Sequence, residues 1–166
     1  RLDQSPQHLA LAKLSDMFCL FTIVIHIVSY GIDQGLTPAA SVMVLSAIGG
    51  CSILGRILLG GTYDRLGAKR SLIVCFSMLL ISFVLLQLSG DPRLLFLFAL
   101  IYGIAHGGFF AVASPSVADY FGTRDHGIIF GIVFFVGTLG GTAGPLLAGR
   151  IFDLTGSYEI VFFMLT

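Results

Sequence analysis

Between Asp16 and Asp33 the chain carries no Asp, Glu, Lys or Arg, and the same holds from Ser71 to Gly90, from Leu94 to Ala118 and from Gly127 to Gly149. A further run, Thr37 to Tyr63, is broken by Arg56 alone. Each run approaches or exceeds the roughly 20 residues that a helix needs to cross about 30 Å of hydrocarbon. Barrel strands would alternate lipid-facing and lumen-facing residues over about ten positions, whereas these runs are apolar throughout. The pattern therefore predicts an all-α fold, a polytopic transmembrane helix bundle with five spans and a sixth that opens near Ile160 and is truncated at Thr166. Residues 1–16 are expected as a cytoplasmic linker and 17–166 as a six-helix bundle incomplete in its last helix.

Composition agrees. With 56% hydrophobic and 11% charged residues, a water-soluble domain could not cover its own core, so the lipid bilayer is the expected surround. Net charge is zero and no basic tract stands out, which argues against nucleic acid as a partner. Cys19, Cys51 and Cys75 all fall inside spans, without a C-x-x-C or a His/Cys cluster, and read as small packing residues; neither a metal nor a cofactor is expected. The chain opens on Arg1, and its polar first residues lack a secretory layout, so the native start is expected to lie upstream.

If successive helices alternate direction, residues 1–16, 61–70 and 119–126 share one side of the membrane. That side carries Arg1, Lys13, Arg65, Lys69, Arg70 and Arg124, against Arg93 and Arg150 on the other, which makes it cytoplasmic by the positive-inside rule. An internal repeat fits this layout. Gly55, Gly60, Asp64 and Gly67 recur as Gly144, Gly149, Asp153 and Gly156 at a constant offset of 89, pairing the second span with the fifth as two inverted three-helix repeats would. In a chain with 21 glycines coincidence is the alternative. Gly103, Gly107 and Gly108, and the series from Gly131 to Gly149, suit close helix packing better than phosphate binding, because none sits in a G-x-G-x-x-G turn. Pro115 and Pro145 lie within spans, where each can permit a bend.

Arg56 is the chemically conspicuous residue. A permanent cation in a spanning segment needs a partner or a water-filled cavity. At 1.5 Å per residue it lies about 12 Å along a helix from Asp64, so an anion site, an internal salt bridge and snorkelling to the surface are all open. At helical spacing Thr22, His26, Ser29, Tyr30 and Asp33 form a polar stripe on the first span, and Tyr102, His106, Phe109, Phe110 and Ser114 share a face of the fourth. These stripes are expected to line a pathway. His26 and His106 titrate near neutral pH, so either could carry a proton; each could equally be a packed residue with one hydrogen bond.

The run Gly61 to Arg70, with glycine, three residues, Asp64-Arg65, one residue, Gly67 and a basic cluster, resembles the loop signature of the major facilitator superfamily, which joins the second and third helices of each six-helix half. Gly55-Arg56, the His26-to-Asp33 end of the first span, the Ala118 to Gly122 loop and the Gly149 to Tyr158 segment resemble its monocarboxylate and oxalate/formate transporter branch. The resemblance implies the C-terminal half of a secondary transporter in the cytoplasmic or plasma membrane, working by alternating access on a small organic anion. Its partners would be that anion, protons as a candidate coupled ion, and an N-terminal six-helix half.

It also implies a gating latch built on Gly61, Asp64, Arg65, Gly67, Lys69 and Arg70, for which an ordinary charged turn is the alternative. Arg56 would pair with the substrate carboxylate through two parallel hydrogen bonds, in a pathway with His26, Tyr30, Tyr102, His106 and Phe110. Oxalate-type members use a second cation on the eleventh helix; the span from Gly127 to Gly149 has none, so a monocarboxylate is the expected cargo. The rivals are a drug or sugar carrier on the same fold, a purely structural membrane subunit, and a membrane-embedded enzyme. The last would lack a nucleophile or metal, since no H-E-x-x-H, G-x-S-x-G or paired intramembrane carboxylates occur.

Overall fold

A computed structural model describes residues 6–88, 92–163 and 165, and these are helical almost throughout. The elements are α1 (Pro6–Asp33), α2 (Pro38–Gln87), α3 (Pro92–Phe121), α4 (His126–Thr155) and α5 (Glu159–Phe163). α1 to α4 are long and apolar enough to cross a membrane. α1 begins at Pro6, inside the stretch expected as a linker, so Lys13 and Asp16 belong to the helix. α2 starts where Thr37 caps it, accepting from the Ala40 N–H with its side chain, and where Pro38 presets the first turn.

The 50 residues of α2 are not one rod. Gly67, at φ 74° and ψ 173°, interrupts the helix in a backbone region open in practice only to glycine, and divides it into arms 38–66 and 68–87. Packing against α3 shows that the arms run in opposite directions. Along the first arm, Ile48 meets Gly103, Ser52 meets Gly107 and Gly60 faces Ala111, so both numbers rise together and the helices are parallel. Along the second, Phe76 packs edge-on to Phe109 and Phe83 to Tyr102, so one number rises as the other falls. The chain doubles back at Gly67, and each arm has about the 20 residues that a crossing takes.

α1 and α4 form a second parallel pair, with Lys13 against Gly137, Leu14 against Gly140 and Phe18 against Gly144. A β-carbon at Gly55 or Gly107 would fall on the backbone of the opposite helix, and one at Gly140 or Gly144 on the backbone of α1, so these glycines allow helix axes to approach closely. The expectation of close packing holds for Gly103, Gly107, Gly108, Gly137, Gly140, Gly141 and Gly144, whereas Gly131 and Gly149 face open space.

The offset-89 repeat has a structural counterpart. Gly55 presses on α3 and Gly144 on α1, while Gly67 (φ 74°) and Gly156 (φ 68°) both end a helical segment with positive φ. An inverted three-helix repeat exchanges the α1/α4 pair with the pair formed by α3 and the first arm of α2, which is the packing observed. The helices are apolar on every side, and Ile53, Ile57, Leu58, Ile128, Phe135 and Leu146 are exposed, as lipid or a further helical bundle would require.

Candidate functional site

Arg56 follows Gly55, whose contact with the Ile104 backbone fixes the first arm of α2 on α3. Arg56 is exposed on the protein surface, and among the described residues no carboxylate pairs with it. Its guanidinium carbon lies 5.8 Å from the centre of the Phe110 ring. The same ring has the Lys13 ammonium on it at 3.9 Å, and Phe109 and Phe134 approach that ammonium at 4.7 and 5.5 Å. Phe110 is therefore approached by an exposed cation on α2 and a sheltered one on α1.

Lys13 is 1% exposed. Gly137 on α4 leaves the room that its stem occupies, since a methyl group there would sit 2.8 Å from the Lys13 Cγ. That contact lies eleven residues into α4, about 16 Å from the helix start, and Lys13 falls within the apolar span Leu9–Asp33 of α1. Its charge is balanced locally. Lys13 Nζ donates to Asp16 Oδ2 at 3.0 Å, one helical turn away, and the Asp16 side chain is itself 1% exposed. The other carboxylate oxygen, Oδ1, lies 3.3 Å from His106 Nδ1 on α3. A carboxylate only accepts, so Nδ1 carries the proton and donates, leaving Nε2 as the ring's basic atom. His106 is stacked on Tyr102 and meets Phe110 edge-on at 4.8 Å. Lys13, Asp16 and His106 thus form a buried polar chain that ties α1 to α3.

Of the fourth-span stripe, Phe110 meets Arg56, while His106 packs on Phe110 and Tyr102 is stacked between His106 and Phe98. The first-span stripe does not. His26 Nε2 donates to the Pro145 carbonyl at 3.3 Å, and its Nδ1 lies 3.2 Å from the Tyr158 hydroxyl, which donates to it. Tyr30 is buried edge-on against Phe162, and Thr22 bonds the Phe18 carbonyl on its own helix. His26 and Tyr30 thus lie in the seam between α1, α4 and α5, away from Arg56. A cleft of about 190 Å³ between α1, α3 and the second arm of α2 has Asp16, Cys19, Phe83 and Tyr102 in its wall, and Arg56 is not part of it.

In the loop, Gly67 makes the reversal, while Gly61, Asp64, Arg65, Lys69 and Arg70 are all exposed. Among the described residues these charges form no ion pair. Tyr63 next to them donates to Asp119 Oδ2 at 2.6 Å, which puts residues 61–70 and the α3–α4 loop at one end of the bundle, as the alternating layout requires. Lys13 and Asp16 were expected in a linker, whereas the structure puts them in α1, buried and paired. The signal was their i, i+3 spacing, which lets opposite charges neutralise each other on one helix.

A model of the Major Facilitator Superfamily matches residues 9–166. Monocarboxylate transporter 12 of Homo sapiens is 24% identical over 160 residues, covering 94% of this chain and 31% of that protein. Monocarboxylate transporter 10 of Homo sapiens is 25% identical over 151 residues, covering 89% and 29%. An uncharacterized MFS-type transporter of Bacillus subtilis (strain 168) is 26% identical over 124 residues, covering 71% and 30%. The chain thus spans about a third of the length of each of these relatives.

Proposed function

The chain belongs to the major facilitator superfamily, and we propose that it is part of a membrane transporter rather than an enzyme, the C-terminal half of a secondary carrier for a small organic anion, a monocarboxylate, working by alternating access. The observation that carries this reading is Arg56: a guanidinium on a membrane-spanning helix, exposed, without an acidic partner among the described residues, and set against an aromatic ring. In an intact two-bundle protein the face bearing Arg56 turns toward an N-terminal six-helix half, and the cavity between the bundles receives the anion. The guanidinium takes a carboxylate through two parallel hydrogen bonds, which strengthen away from bulk water. An unpaired cation opposes closure of the bundles around it, and a bound anion removes that penalty, so binding favours the switch.

The loop at residues 61–70, with its exposed Asp64, Arg65, Lys69 and Arg70, is free to latch onto the partner half on the cytoplasmic side. His106, whose Nδ1 is held by Asp16, is the histidine of this site proposed for proton coupling. The names of the human relatives favour a monocarboxylate over a sugar or a drug.

The test is Arg56→Ala in the full-length protein, with uptake of radiolabelled lactate or pyruvate measured in membranes where insertion is verified separately. Truncating one partner of a buried charge pair costs about 2–5 kcal/mol, so uptake should fall at least about thirtyfold. Arg56→Lys, which keeps the charge and loses the fork, should recover only part of it. Wild-type uptake by Arg56→Ala would remove Arg56 from the site.

A further inference from the structure

Two cations approach the same Phe110 ring, yet only one of them is available to a ligand. Lys13 Nζ is 3.9 Å and Arg56 Cζ 5.8 Å from the ring centre. Asp16, one turn along α1 from Lys13, cancels the first charge at 3.0 Å, and its second oxygen is held by His106. Lys13 and Asp16 bear opposite charges in direct contact, so the cation left without a counter-charge beside this ring is Arg56. We propose, on the basis of the carboxylate reading above, that Asp16 is a specificity-determining residue: by neutralising Lys13 it restricts the site to anions of a single negative charge.

The two cations are within about 10 Å of each other, because both lie on one ring, and at an effective dielectric of about 20 a unit charge at that distance changes anion binding by roughly tenfold. A dianion responds to an added charge twice as strongly as a monoanion in free-energy terms. Exposing the Lys13 charge should therefore raise the dianion-to-monoanion preference by about tenfold.

The experiment compares uptake of radiolabelled malonate and lactate, molecules of similar size and different charge, by the full-length protein at neutral pH. Lys13→Arg combined with Asp16→Asn, which places there a guanidinium that cannot shed its proton, should raise the malonate-to-lactate ratio about tenfold. Lys13→Met combined with Asp16→Asn removes both charges, keeps the bundle free of an unpaired ion, and should return the ratio to that of the wild type. If the Lys13→Arg/Asp16→Asn protein is inserted and transports lactate with an unchanged ratio, the proposal is overturned. It is equally overturned if the Lys13→Met/Asp16→Asn protein keeps a raised ratio. A wild-type protein that carries no carboxylate overturns the underlying functional reading and this inference with it, whereas lactate transport with an unshifted ratio in the variants overturns this inference alone.

Discussion

Gly55→Ala should loosen the helix pair that carries Arg56. The new methyl carbon would lie 2.8 Å from Ile104 Cα and nearer still to the Ile104 carbonyl oxygen, both of them backbone atoms that no rotamer change can move aside. To restore ordinary contact, the first arm of α2 and α3 must part by about 1 Å, and a radial gap of 0.5–1 Å forfeits a quarter to a half of each dispersion contact. A seam of a few dozen atom pairs, each worth about 0.1–0.2 kcal/mol, would then lose about 2 kcal/mol, within the range of 1–3 kcal/mol usual for overpacked positions. Between helices in lipid no hydrophobic term offsets this loss. Gly49→Ala is the control. It lies on the same arm with nothing within 4 Å, and should gain a few tenths of a kcal/mol to about 1 kcal/mol from helix propensity. Unfolding of the full-length protein in mixed micelles, followed by circular dichroism, measures the difference between the two variants. Equal stabilities would refute the claim that these helices meet backbone to backbone at Gly55.

Gly67→Ala should cost about 1–3 kcal/mol in the same assay, because its backbone lies where side chains are excluded, although a methyl group there would touch nothing within 4 Å. Lys13→Met should cost about 3–5 kcal/mol by leaving the Asp16 carboxylate buried without its cation, and adding Asp16→Asn should recover most of that loss. A Lys13→Met protein as stable as the wild type would show that the ion pair is not buried as described.

The spanning helices were legible because lipid requires what a sequence displays directly, long runs without charge, and because Gly67 and its neighbours mark a reversal chemically. The shared face of Tyr102, His106 and Phe110 was also legible, since one helix face at i, i+4 spacing stays one face after folding. The placement of His26 and Tyr30 was not. Their stripe is equally regular, but which neighbour it meets depends on Tyr158 and Phe162, more than 120 residues away in the chain. The start of α1 was missed for a different reason. Lys13 and Asp16 look like surface charges one at a time, and only as a neutralised pair, with a glycine opposite on α4, do they fit inside the membrane.

Helices that run in the same direction cannot be neighbours in an up-and-down chain, so α1 must wait during synthesis until α4, its parallel partner, has emerged more than 90 residues later. When α1 emerges, neither His106 nor Gly137 has yet been made to shelter its charges. Because Asp16 lies three positions from Lys13 on the same helix, the two can meet before any other segment arrives, and this part of α1 can enter the bilayer without an unbalanced charge. The spacing of these two residues thus serves the nascent chain as well as the assembled bundle.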